Sequence, residues 1–118
     1  MTKTEYEEYQ KTNGDYAIAS LFFLNELKNI VRSEKPRRIL EVGVGVGTIP
    51  YGIREFQNTF EYVGTENFEP CIERLRENAP FVIHERFIKE TKGAFDLIIV
   101  DGQDADTHGL PQRLRRGG

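Results

Sequence analysis

With 118 residues, the chain is long enough for one domain with a modest core and too short for two. Its 30% charged and 38% hydrophobic residues are typical of a soluble globular domain, and its net charge of −3 argues against nucleic acid as the main partner. The single cysteine excludes an intramolecular disulfide and no apolar run is long enough to cross a membrane, so we expect a cytoplasmic protein without a membrane partner.

The chain begins with a polar stretch, residues 1–14, which we interpret as a segment separate from the domain predicted over residues 15–118. Apolar residues then recur at helical spacing, which predicts a helix that begins near residues 13–15 and ends before Pro36. The residues in this pattern are Leu21, Leu24, Leu27 and Val31. We expect the helix to pack on one face of a sheet.

A glycine-rich stretch follows, and the rest of the chain is organised around it. The apolar run at residues 39–42 predicts a buried strand, and a short helix is predicted over residues 48–56 with Thr48 as its N-cap. Strand, glycine turn and helix favour an anion or nucleotide site, because glycine lets a ligand approach the backbone and a helix start offers unpaired N–H groups. The glycines stand at every second position, at Gly43, Gly45 and Gly47.

The spacing of the glycines distinguishes two nucleotide classes. A dinucleotide fingerprint, G-x-G-x-x-G, would have its third glycine where the chain has Thr48. The third glycine is Gly47 instead, and an acid, Glu41, stands two residues before the first. The stretch from Glu41 to Gly47 resembles the first motif of the class I S-adenosylmethionine (SAM) dependent methyltransferases. An NAD-binding domain and a glycine turn without a ligand stay open as alternatives.

This resemblance implies an α/β fold, a Rossmann-like parallel sheet with flanking helices, that binds SAM through the three glycines and Glu41. A second strand is predicted over residues 60–66 and ends on Glu66. At this point of βαβ nucleotide folds an acid hydrogen-bonds the ribose, because a carboxylate can accept two O–H groups. The resemblance assigns that role to Glu66 and places Asn67 and Phe68 beside the adenine.

A second crossover helix is predicted over residues 70–78, with Cys71 as a packed thiol, and a third strand over residues 81–83. Many relatives carry a Gly-Asp or a similar acid after this strand, near the adenine amino group. The resemblance gives that role to Glu85. His84 is interpreted as a polar residue at the strand end.

A fourth strand is predicted from the apolar run at residues 97–100, which suits a strand buried on both faces of a parallel sheet. Residues 95–102 resemble the fourth-strand motif of the small-molecule O-methyltransferases in this family. The resemblance makes Asp101 the catalytic candidate: it would orient or deprotonate the acceptor, or bind Mg²⁺ in metal-dependent members. Asp104 and Asp106 are interpreted as a solvated acidic loop, and no metal ligand is assigned.

The resemblance covers residues 15–118, which match only the cofactor-binding half of the family's fold, truncated before the fifth strand. We expect the open edge of the fourth strand to pair in a homodimer. The prediction is a SAM-dependent methyltransferase for a small-molecule acceptor, with an oxygen atom favoured and activity of this short chain left open. The alternatives are a non-catalytic SAM-binding module or partner subunit and, less favoured, an NAD-binding domain.

Overall fold

The computed structural model of the chain describes residues 1–100. No helix in this range is both long and apolar enough to cross a membrane. Two short 3₁₀ turns, Arg54–Thr59 and Ile88–Glu90, accompany the regular elements. In chain order these are α1 (Lys3–Asn13), α2 (Leu21–Glu34), β1 (Arg38–Val42), α3 (Thr48–Gly52), β2 (Glu61–Thr65), α4 (Glu69–Asn78), β3 (Ile83–Glu85) and β4 (Leu97–Val100).

The four strands form one parallel sheet in the order β3-β2-β1-β4. Ile39 of β1 lies opposite Tyr62 of β2 on one side and Leu97 of β4 on the other. Because all four strands run the same way, their carboxyl ends meet at one edge of the sheet. The predicted Rossmann-like parallel sheet with flanking helices is therefore confirmed.

The two faces of the sheet are covered unequally. The larger cluster joins sheet residues Ile39, Tyr62 and Ile99 to buried side chains of α2, α3 and α4, among them Leu24 and Leu75. The second face is covered by a smaller cluster, which consists of Leu40, Val42, Val63, Ile88 and Phe95. Alternate residues of a strand point to opposite faces, so β1, β2 and β4 each contribute to both clusters.

The predicted start of the long helix near residues 13–15 is wrong. A separate helix, α1, ends at Asn13, and residues 14–20 follow a turn and an extended path before α2 begins at Leu21. The Oγ of Ser20 accepts the Phe23 N–H at 3.1 Å and caps α2. Ile18 fits the helical spacing, but it lies before α2 and packs against the cluster of Tyr9, Val46 and Cys71.

Three further boundaries differ from the sequence-based expectation. α3 begins after Gly47, which is its N-cap with φ +88°, so Thr48 is the first helical residue and not the cap. The α-helix ends at Gly52 and only a 3₁₀ turn continues to Thr59. The third strand lies at Ile83–Glu85, because the Val82 N–H is bonded to the Ala79 carbonyl in the turn after α4.

The new start of α2 can be tested at its cap. Replacing Ser20 with Ala should lower the free energy of unfolding by about 1 kcal/mol, because the Phe23 N–H loses its acceptor. Ser33→Ala is the matched control, since the exposed Ser33 hydroxyl bonds only to the Ile30 carbonyl in the last turn of the same helix. Urea denaturation of both variants measures the difference. Equal small losses would place the start of α2 elsewhere.

Candidate functional site

The carboxyl edge of the sheet brings the glycine loop, residues 43–47, to the end of β2. Gly43, Gly45 and Gly47 have φ values of +80°, +60° and +88°, in the region that glycine alone adopts without strain. The N–H groups of Gly43 and Val44 both donate to the Thr65 carbonyl, at 3.1 and 2.9 Å. These bonds hold the start of the loop against the last residue of β2.

The loop has one packed side and one open side. A Cβ on Gly47 would lie 2.8 Å from Leu75 Cδ1 and 3.6 Å from Ala79 Cβ, so this glycine faces α4 closely. A Cβ on Gly45, two residues earlier, would meet no atom within 4 Å. The open side is therefore where a ligand can approach the backbone.

Sequence reasoning missed the part that Gly64 plays beneath the loop. A Cβ on Gly64 would lie 2.9 Å from the Cβ of Val44. A glycine is therefore needed at this position of β2 for the loop to pack directly on the strand. Gly64 is also the residue opposite Glu41 in the ladder between β1 and β2. A glycine in the interior of a strand is the available signal, because it often marks the close approach of another backbone.

Glu66 lies directly after β2, where the sequence placed it, and its carboxylate joins two segments of the site. Oε1 accepts the Gly45 N–H at 2.9 Å and Oε2 accepts the Phe68 N–H at 3.1 Å. The backbone is held as well, since the Glu66 N–H donates to the Glu85 carbonyl at 3.0 Å and Nε2 of His84 lies 2.9 Å from the Glu66 carbonyl. The carboxylate is thereby fixed beside the open side of the loop.

The structure also describes Asn67, Phe68 and Glu85, the other residues near Glu66 that are predicted to bind the cofactor. Asn67 and Phe68 are exposed, and Phe68 keeps 56% of its surface free next to Glu66. Glu85 is joined to Glu66 through its backbone carbonyl, while its side chain lines a cavity of about 260 Å³ together with Arg38 and other residues. The structure thus groups Gly45, Glu66 and Phe68, and links Glu85 to them only by that backbone bond among the contacts described.

Glu41 is buried at the end of β1, with 2% of its surface exposed. Its Oε1 accepts the hydroxyl of Tyr62 at 2.6 Å. Burial of Tyr62, reinforced by the Glu41 charge, raises the pKa of the phenol well above its usual range, so Tyr62 remains the donor. Sequence reasoning missed Tyr62, whose partner stands on a different strand. Glu41 is a fixed acceptor under the glycine loop.

A mostly apolar cavity of about 290 Å³ lies at the end of β4. Ser20 is the polar side chain among its lining residues. The others are Ala17, Ile18, Ala19, Phe23, Ile49, Ile99 and Val100. Asp101 follows Val100 directly in the chain, but Asp101, Asp104, Asp106 and His108 lie outside the described residues. Within residues 1–100, no three His, Cys, Asp or Glu side chains are grouped so that they could hold a metal ion.

The two sides of the loop can be tested with a pair of alanine substitutions. Gly45→Ala and Gly47→Ala both place a side chain at positive φ, which costs about 1 kcal/mol. Gly47→Ala should lower the free energy of unfolding by a further ~1–3 kcal/mol, because its Cβ overlaps Leu75. Gly45→Ala is the matched control, and chemical denaturation compares them. Equal losses would contradict the close packing of Gly47 on α4.

Comparison with solved structures places this fold among known proteins. No family model matches the chain, and no curated protein does. An O-methyltransferase from Bacillus cereus in complex with SAH matches with a TM-score of 0.72 and 18% identity, over 98% of this chain and 63% of its own. SAH-bound PaMTH1, a methyltransferase of Podospora anserina, matches with a TM-score of 0.66 and 24% identity, over 86% and 50%.

A third solved structure is that of TomG, an O-methyltransferase from Streptomyces achromogenes involved in tomaymycin synthesis, in complex with SAM. It matches with a TM-score of 0.62 and 20% identity, over 82% of this chain and 52% of its own. The chain spans between half and just under two thirds of the lengths of these three proteins. At these identities the likeness concerns the fold alone: this chain has a Rossmann-like fold similar to that of part of these SAH- and SAM-bound methyltransferases.

Proposed function

We propose that the chain binds SAM at the glycine loop and forms the cofactor-binding half of a methyltransferase that acts on a small-molecule acceptor. One observation carries the proposal: the Glu66 carboxylate is bonded to the Gly45 N–H at 2.9 Å, beside the open side of the loop. An acid at the tip of β2, touching the loop after β1, is the arrangement that binds a nucleoside ribose in βαβ folds.

The residues present fit this cofactor. Each Glu66 oxygen has two lone pairs, so a carboxylate that accepts the Gly45 and Phe68 N–H groups can still accept two ribose hydroxyls. Phe68 offers an exposed aromatic surface for the adenine, next to Asn67. Glu41, buried at the end of β1, would hold the methionine end of the cofactor or a water bound to it. In this proposal Glu85 contributes near the adenine.

Bound SAM supplies a methyl group activated on a sulfonium, so the main task of the chain is to hold two reactants in line. The apolar cavity at the end of β4 is suited to a small acceptor with an apolar body. Asp101 directly follows Val100, one of the residues that line this cavity. We assign it to the acceptor: its carboxylate would orient a hydroxyl and take the proton that the oxygen loses. An oxygen acceptor is favoured because the similar proteins named above include O-methyltransferases.

The cofactor proposal predicts that the purified chain binds S-adenosylhomocysteine (SAH). Glu66→Ala should weaken this binding roughly ten-fold or more, because hydrogen bonds to a charged group contribute about 1.5–3 kcal/mol. Glu69→Ala is the matched control, since Glu69 is a nearby exposed acid bonded to Arg86. Calorimetric titration with SAH and with NAD measures both variants. A folded chain that binds NAD and not SAH would refute the proposal and favour a dinucleotide site.

The catalytic proposal needs a separate test, because a folded cofactor half can bind SAM without turning it over. Asp101→Asn should abolish methyl transfer to phenolic acceptors while SAH affinity stays within two-fold, roughly, of the unchanged chain. Release of SAH from SAM measures turnover. A chain that binds SAH but produces none from SAM with any acceptor would fit the second candidate, a SAM-binding module without catalysis.

The edge position of β4 is what favours that second candidate. Val100 has 46% of its surface exposed, and among the described strands β4 pairs only with β1. Further strands from another chain could pair there and supply the rest of an acceptor site. The homodimer expected through this edge stays a prediction.

A further inference from the structure

A polar network lies on the packed side of the glycine loop, where α1 meets α4. At its centre is Asn78, the last residue of α4. Its Nδ2 donates to the carbonyl of Val46 at 2.8 Å and to Oδ1 of Asn13 at 3.0 Å, and it lies 3.2 Å from the hydroxyl of Tyr9. A side chain of α4 thus joins the backbone of the loop to two residues of α1.

Tyr9 extends the network to the first residue of α3. Its hydroxyl is 3.1 Å from Oγ1 of Thr48, and either hydroxyl can be the donor of this bond. Burial raises the pKa of Tyr9 to about 12, so the phenol stays protonated at neutral pH. Tyr9 therefore bonds to the residue just after Gly47, and Asn78 to the residue just before it.

The same bonds dock α1. Tyr9 and Asn13 are the buried residues of this otherwise polar helix. The other side-chain links described for α1 are the stacking of the Tyr9 ring on Tyr51, with centroids 4.8 Å apart, the exposed ion pair of Glu5 with Arg54, which contributes little, and the bond from the Tyr6 hydroxyl to the Ala19 carbonyl. Docking of α1 and the conformation of the loop therefore share one set of hydrogen bonds.

We propose that Tyr9, Asn13 and Asn78 are positioning residues of the cofactor site, and that docking of α1 and binding of the cofactor favour each other. This rests on the proposed function, since the ligand is the one assigned to the open side of the loop. The coupling arises because α1 holds the loop from its packed side. When α1 undocks, Thr48 loses its bond to Tyr9, and Asn78, which holds the Val46 carbonyl, loses Tyr9 and Asn13. A smaller fraction of chains then has the binding-competent loop.

Such coupling is reciprocal, which gives it two independent signatures. Weakening the network should raise the dissociation constant of the ligand, although no network side chain is assigned to the open side. Binding of the ligand should in turn slow the opening of α1 in the unchanged chain. A role in stability alone would leave the affinity of the folded chain for the ligand unchanged.

The test compares two tyrosines of α1. Tyr9→Phe removes the bonds to Thr48 and Asn78, and Tyr6→Phe, the matched control, removes only the bond to Ala19. Calorimetric titration of the full chain with SAH should show about five-fold weaker binding for Tyr9→Phe, the change that corresponds to one lost buried hydrogen bond. Tyr6→Phe should bind as the unchanged chain does. Urea denaturation of both variants reports any general loss of stability.

Hydrogen exchange measures the reciprocal effect without a substitution. Saturating SAH should slow exchange of the α1 amides, residues 3–13, in the unchanged chain. Unchanged exchange in α1, together with equal SAH affinity of Tyr9→Phe and Tyr6→Phe, would overturn this proposal and leave the cofactor assignment standing. A folded chain that binds no SAH would overturn both.

Discussion

The hydrogen bond between the Glu66 carboxylate and the Gly45 N–H is the contact on which the candidate site depends. It joins the loop after β1 to the tip of β2, and it can form only because the two parallel strands end at the same edge of the sheet. Two glycines make room for it: Gly45 adopts positive φ, and Gly64 lets Val44 pack directly on β2. A carboxylate held by backbone N–H groups needs little rearrangement when a ligand arrives.

The division of the loop into an open and a packed side organises the rest of the molecule. Gly47 packs against α4, and Asn78 of α4 and Tyr9 of α1 bond to the residues on either side of it. Both helices therefore support the loop on its packed side. The open side is left to Gly45 and Glu66. Because the packed and the open sides are opposite each other, α1 would act on the proposed ligand through the loop and not by direct contact.

Much of the fold and the core of the candidate site could be predicted, because both depend on local patterns. Apolar runs indicated β1 and β4, and the alternation that ends on Glu66 indicated β2 and the position of the acid. Errors arose where tertiary contacts overrode local spacing. Ile18 has helical spacing yet packs against the cluster of Tyr9, Val46 and Cys71, and the turn at Ala79 moves β3 two residues later than its apolar run suggests. Neither effect leaves a signal in the neighbouring residues.

The sequence by itself determined that a strand, a glycine loop and a second strand ending in an acid follow one another, because spacing and residue type act over a few positions. Only the tertiary structure decided which side chains meet across the chain. Tyr62 bonds to Glu41 over 21 positions, Tyr9 to Thr48 over 39, and Asn78 to Tyr9 over 69. These partners are selected by how strands and helices pack, and packing depends on contacts between residues that the linear order keeps far apart.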